Sequence, residues 1–198
     1  MPNPYLSGSI WIGERYNDAN NELRAALILM ESTRGNPPAT DPQWILYFIN
    51  QEAVEKKDIE GSFSRLYKFM ENKSGAWPQV YAQATPQDLQ GLFNRFAFYN
   101  YVSPPIAPIN SPVTGQHLRA AREPFRQALE IIKPTGVWII GSRHAEHAKK
   151  VIGAYSQSLE YTVEYTEMND IARASDEDCH TGWEKFRNLM CSINGCEE

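Results

Sequence analysis

The chain predicts an α/β protein: a three-layer α/β/α sandwich around a short, mainly parallel four-stranded sheet. Two observations carry this. Short apolar runs stopped by glycine or proline recur along the chain, as in Ser9–Gly13, Phe96–Val102 and Val137–Ile140. Between them lie stretches with helical apolar spacing, such as Leu118, Ala121, Phe125, Ala128, Leu129 and Ile132. Strands that alternate with helices imply parallel pairing with both faces covered.

Taken in order, Ser9-Ile10-Trp11-Ile12-Gly13 reads as a buried first strand. Leu23 to Met30 reads as a helix, with a buried strand fitting the same pattern. Gly35 to Pro42 is a loop. Trp44–Phe48 and Phe63–Met70 have helical spacing, the latter with Phe63, Leu66, Tyr67 and Met70 on one stripe. Thr85-Pro86 is a helix start, threonine as N-cap and proline in the first turn. Phe96 to Val102 is the second strand, closed by Ser103-Pro104-Pro105 because proline cannot donate to a sheet ladder. In the helical stretch that follows, Pro124 either kinks one helix or opens a fresh one. Val137–Ile140 is the third strand, and a helix starts at Ser142 and runs to about Ala154. Leu159–Tyr165 alternates as a fourth strand, and a last helix covers Gly182–Ser192.

The chain has 198 residues, which fits one domain over 1–198. Hydrophobic residues make up 42%, enough for a sizeable core. No apolar run reaches membrane-spanning length, and the start lacks a secretory signal, so a cytoplasmic protein without membrane contact is expected. The net charge of −5 counts against indiscriminate binding to nucleic acid but not against gripping a few phosphates. The three cysteines, Cys179, Cys191 and Cys196, fit free thiols in a reducing compartment. No cofactor and no metal site are expected: His144 and His147 stand three apart, but no carboxylate or cysteine pattern completes a site, and two surface histidines are the simpler reading.

Ligands of open α/β sheets bind beyond the strand C-termini. That directs attention to Gly13–Asp18, Asn100–Pro105, Gly141–Arg143 and Glu167–Asp170, taken to share one edge. The stretch from Asn100 to Gly141 reads N-Y-V-S-P-P, a proline-rich loop, then A-A-R-E-P-F-R-Q-A-L-E-I-I-K-P-T-G-V-W-I-I-G. With its flanks, over residues 94–148, this resembles the uracil-DNA glycosylase-like superfamily, particularly the branches with a G-E-A-P-G motif. There too a strand ends in Asn, a Pro-Pro loop follows, and Arg-Pro-Phe opens a helix that precedes a strand ending in Gly.

The resemblance implies a monofunctional DNA glycosylase that flips a base and hydrolyses its N-glycosidic bond. That cleavage builds positive charge on the sugar and negative charge on the base, so it needs a carboxylate near the sugar and donors near the base. Glu14, Asn17 and Asp18 are the candidates for the carboxylate and water-orienting role, Glu14 matching the motif glutamate best. A solvated turn with an Asp cap is the alternative reading. Asn100 would read the base edge, since an amide offers a donor and an acceptor together. Phe98 and Tyr16 would line the base pocket. Arg15, Ser142 and Arg143 would contact DNA phosphates, the last two from a helix N-terminus.

Two departures from the family shape the substrate. The His-Pro-Ser loop after the fourth strand is absent; Asn169 or His180 would have to supply its donor. No Pro-Tyr stands beside the pocket to block bulky pyrimidines, and Trp44, Tyr47, Phe48, Tyr67, Trp77 and Tyr81 fill the intervening segment. A modified pyrimidine is therefore expected, with glucosylated hydroxymethylcytosine of phage DNA as the candidate and antiviral defence as the setting. The competing readings are a non-catalytic nucleotide- or protein-binding α/β module and a hydrolase of free nucleosides.

Overall fold

The computed structural model describes residues 10–31, 62–71, 83–102, 112–171 and 173–196, with the side chains of 62–64 outside that description. The loop prolines Pro37, Pro38, Pro104 and Pro105, and the aromatics Trp44, Tyr47, Phe48, Trp77 and Tyr81, lie outside the described residues.

The described elements are β1 (Ile10–Ile12), β2 (Ala26–Met30), α1 (Ser62–Met70), α2 (Pro86–Phe93), β3 (Ala97–Asn100), α3 (Gly115–Ala120), α4 (Arg122–Ile132), β4 (Gly136–Ile140), α5 (Ser142–Ser156), β5 (Glu164–Met168) and α6 (Asp176–Asn194). The sheet has five strands in the order β1-β3-β2-β4-β5. β2, β3, β4 and β5 are parallel, and β1 is antiparallel to β3. The expected α/β architecture holds, with one strand more than the sequence predicts.

That extra strand is β2. The run Ala26-Leu27-Ile28-Leu29 is wholly buried, so it has no solvent face to give a helical stripe. It sits in the middle of the sheet, paired on both sides and covered on both faces. Ala25, at φ 59, lies in the left-handed region and turns the chain into the strand. The helical reading of Leu23–Met30 is thereby corrected.

Alternation along the strands divides the core. Ile28, Phe96, Phe98, Trp138 and Met168 pack with Leu66, Leu89, Leu92, Trp183 and Phe186 from α1, α2 and α6. Leu27, Leu29, Tyr99, Val137 and Ile139 pack with Phe125, Leu129, Ala148 and Ile152 from α4 and α5. These are the three layers. The first is rich in ring contacts: Trp138 stacks on Phe186 with centroids 5.6 Å apart, and Phe96 meets Trp183 edge-on at 6.3 Å.

Helix starts follow the sequence signals. Thr85 caps α2 with a full capping box shared with Asp88, and Ser175 does the same for α6 with Asp178. Pro124 opens a fresh helix: it stands in the first turn of α4, where a missing N–H costs nothing. β5 begins five residues later than the expected Leu159, and α6 begins six earlier than the expected Gly182. β5 is an edge strand with exposed Glu164, Tyr165 and Glu167, so its apolar signal is weak.

Candidate functional site

The direction of β1 decides where the predicted residues go. Ile10 faces Tyr99 and Ile12 faces Ala97, so β1 leaves the sheet beside the start of β3. Gly13 N–H donates to the Phe96 carbonyl at 3.0 Å, and Arg15 N–H to the Asn94 carbonyl at 2.9 Å. The turn Gly13–Asp18 therefore lies at the N-terminal edge of the parallel strands. Asn100 lies at the other edge, about 13 Å further along β3 at ~3.3 Å per residue. The expectation that Gly13–Asp18 and Asn100 share one edge is overturned, because it assumed a parallel β1.

At that lower edge Arg15 and Asp18 take part in holding the turn together. Asn21, buried, donates to the Arg15 carbonyl at 3.1 Å and the Arg95 carbonyl at 2.8 Å, and accepts from Leu23 N–H at 3.1 Å. Asp18 accepts from Asn20 N–H at 2.9 Å, and that bond together with Arg15, 3.6 Å away, holds its carboxyl below the usual range. Glu14 and Asn17 are exposed on the turn, and Arg15 borders a polar cleft with Tyr67, Glu71, Asp88 and Arg95. Tyr16 is buried, its phenol pushed far up by desolvation. Phe98 is buried as well, edge-on to Phe93 at 5.8 Å and Phe96 at 6.2 Å. Neither ring is open to a base, so both base-binding assignments are corrected: these side chains belong to the core.

The opposite edge gathers the rest. β2 connects to β3 on one side of the sheet, whereas β4 connects to β5 on the other. The helices between β2 and β3 cover one face; those between β4 and β5 cover the other. The gap beyond the C-termini of β2 and β4 is thus the topological switch point of the sheet, where open α/β folds receive ligands. Glu31 follows β2 directly, and its carboxylate pairs with the Arg143 guanidinium across this gap. Met30 is aligned with Asn100 on one side and with Ile140 on the other. Asn100 thereby stands one strand away from Glu31, buried, on the face of Phe96 and Phe98.

The β4–α5 turn shapes the gap. Gly141, at φ 120, adopts a conformation that side chains disfavour, and an added Cβ would lie 3.1 Å from the His144 ring. Its N–H is engaged by the Met168 carbonyl at 3.0 Å. α5 starts with no side-chain cap, unlike α2, α3 and α6. Ser142 and Arg143 are exposed at this positive helix end beside Glu31, where first-turn amides have no partner within the helix.

His144 supports the turn from beneath. It is fully buried, stacked on Tyr101 at 5.5 Å, and near the Leu29 carbonyl without a well-formed hydrogen bond. Desolvation, then Arg143 and His147, push its pKa down to about 4, so the ring is neutral near pH 7. This corrects the reading of two surface histidines. Its neighbour His147 is half-buried and accepts from Arg122 Nε at 3.2 Å. Among the described residues, no group of three or more His, Cys, Asp and Glu is placed to hold a metal. Of the substitutes for the missing His-Pro-Ser loop, Asn169 is exposed just past β5, and His180 is exposed on α6.

Glu31 was missed by sequence reasoning because its strand was read as a helix. The signal was nonetheless there: an apolar run ending at Met30 meets the polar stretch Glu31-Ser32-Thr33-Arg34-Gly35. Compared with known proteins, the chain gives no assignment: no family model matches it, and no curated protein matches it either. Among the described residues, no helix is long and apolar enough to cross a membrane.

Proposed function

We propose that the chain is an N-glycosyl hydrolase acting on a flipped base of DNA, with its chemistry at the β2–β4 switch point. The observation that carries the reading is the Glu31–Arg143 pair across that gap with Asn100 on the next strand. Glu31 follows the first parallel strand, the place where the glycosylase-like family keeps its carboxylate. Asn100 keeps the place of the family's base-reading amide.

In this reading the substrate phosphate takes up Arg143 and the first-turn amides of Ser142 and Arg143, drawing the guanidinium away from Glu31. The released carboxylate lies near the sugar and opposes the positive charge that develops there. The bond between C1′ and the base nitrogen breaks, and its electron pair leaves with the base. Water adds to C1′ and passes a proton to Glu31, and the base anion is protonated from solvent. Asn100 pairs with the base edge through its carbonyl and amide together.

The base proposed is a modified pyrimidine, with glucosylated hydroxymethylcytosine of phage DNA as the candidate. The support is the lack of a Pro-Tyr after Glu31, where Ser32-Thr33-Arg34 stands instead. A defence role in the cytoplasm follows from that substrate. The acidic net charge of −5 favours a second reading, hydrolysis of free nucleosides. Salt separates the two: binding of DNA weakens steeply as salt rises, and binding of a nucleoside hardly changes. Release of base from glucosylated DNA, lost on Glu31→Gln, supports the first reading. Turnover of free nucleosides alone overturns it.

A further inference from the structure

Residues 115–156 carry seven Lys or Arg against three Glu, in a chain whose net charge is −5. The excess is not spread evenly. Glu123 and Glu130 are both taken by Arg126, and Glu146 is taken by Lys149, which also binds Glu167 at 2.7 Å. These pairs neutralise one another.

Apart from Lys133 at the C-cap of α4, what remains is a cluster centred on His147. Arg143, His147 and Lys150 stand at i, i+4 and i+7 on α5, a single stripe about 10 Å long at 1.5 Å per residue. Arg119 and Arg122 approach from α3 and α4: beyond desolvation, both act with Lys150 against a positive charge on His147, and Glu146, already bound to Lys149, is the carboxylate that favours it. Arg122 donates to His147 Nδ1 from Nε and is 3.0 Å from it through Nη2, so its nearest partner is a neutral ring rather than a carboxylate. Among the described residues, Arg119, Arg122 and Lys150 pair with no carboxylate. Holding like charges together with so little counter-charge is unfavourable unless a further anion joins them.

The stripe begins at Arg143, in the switch-point gap, and leads away from it along α5. We infer that this α3–α5 face is a docking surface for the sugar–phosphate backbone of DNA, guiding a strand toward Glu31 and Asn100. The inference rests on the proposed function for its direction of travel. It also resolves the conflict between an acidic chain and a polyanionic ligand: the local sign, not the net charge, sets the contact.

The test is the salt dependence of binding to labelled oligonucleotides, single-stranded and duplex in separate arms. Lys150→Gln and Arg122→Gln are compared with the parent and with Arg126→Gln, whose cation is already neutralised by Glu123 and Glu130. Lys150 is exposed, so its variant keeps the fold even if Arg122→Gln disturbs the packing beside Tyr101. The expected result is that the slope of log affinity against log salt falls by about 1 for each stripe cation removed, and is unchanged in Arg126→Gln. The arm with the steeper slope identifies the strand form that is bound. An equal change in Arg126→Gln, or no salt-sensitive binding by the parent, overturns the surface. Base release is scored on the same samples. Salt-dependent binding through the stripe without base release would leave the surface standing and remove the glycosylase reading. Base release with slopes unaffected by Lys150→Gln would do the reverse.

Discussion

Arg143 bridges the gap between β2 and β4 by pairing with Glu31, at the switch point where β2 connects toward one side of the sheet and β4 toward the other. Arg143 is about half exposed at 46%, whereas the Glu31 side chain is 14% exposed. A pair this open adds little to stability, about 1 kcal/mol or less. Arg143→Gln is therefore expected to leave urea unfolding nearly unchanged while kcat/KM for base release falls by about a hundredfold. A large stability loss with activity kept would make the pair structural.

Asn100 ends β3 with its side chain on the Phe96–Phe98 face. Asn100→Ala is expected to lower discrimination between bases by roughly 1–3 kcal/mol, about five- to 150-fold. Competition between two bases in one oligonucleotide measures this directly. Equal loss for every base would mean that Asn100 supports the site without reading it.

Two glycines differ in what surrounds them. A Cβ at Gly13 would lie 2.3 Å from the Asn94 carbonyl oxygen, part of the backbone that also receives Arg15 N–H. A Cβ at Gly136 would lie 2.2 Å from Met190 Sδ, near the end of a flexible side chain. Gly13→Ala is expected to cost about 3 kcal/mol and Gly136→Ala about 1 kcal/mol, the two ends of the usual overpacking range. Chemical denaturation of both variants tests the order.

His144 gives stability a pH dependence. Its folded pKa of about 4 lies below the unfolded value of about 6.5, so between these the unfolded chain binds a proton that the native one refuses. The neutral ring costs nothing above pH 6.5, and stability falls as pH drops from 6.5 toward 4. From pH 7 to pH 5 the expected loss is about 2 kcal/mol. His144→Leu removes this component, so its unfolding free energy should vary less with pH than the parent's. Parallel curves for the two proteins would mean that His144 titrates normally.

Much of the fold is legible in the sequence because the rules involved are local. β3, β4, α4 and α5 announce themselves through apolar runs, Pro124 and the Gly136 and Gly141 stops. β2 does not, since Leu27, Ile28 and Leu29 are buried on both faces and a strand buried this way has no alternation. The direction of β1 is a property of pairing with β3, more than 80 residues away in sequence, and nothing in Ile10-Trp11-Ile12 encodes it. Those two non-local facts moved the candidate carboxylate from Glu14 to Glu31. The positions of Asn100, Ser142 and Arg143 at the C-terminal edge of the sheet were legible because each ends or follows a readable strand. The burial of His144 was not, since it depends on Tyr101 and the β4–α5 turn meeting above it.

The most direct test of the central claim is base release from a panel of DNAs containing uracil, hypoxanthine, hydroxymethylcytosine or its glucosylated form, with abasic sites revealed by alkaline cleavage. The parent runs beside Glu31→Gln and Glu14→Gln. Release is expected from the glucosylated DNA, with a fall of about 10²- to 10⁴-fold in Glu31→Gln and parent-like release in Glu14→Gln. Release that survives Glu31→Gln but is lost in Glu14→Gln, or a folded parent that releases no base from any DNA, would contradict it.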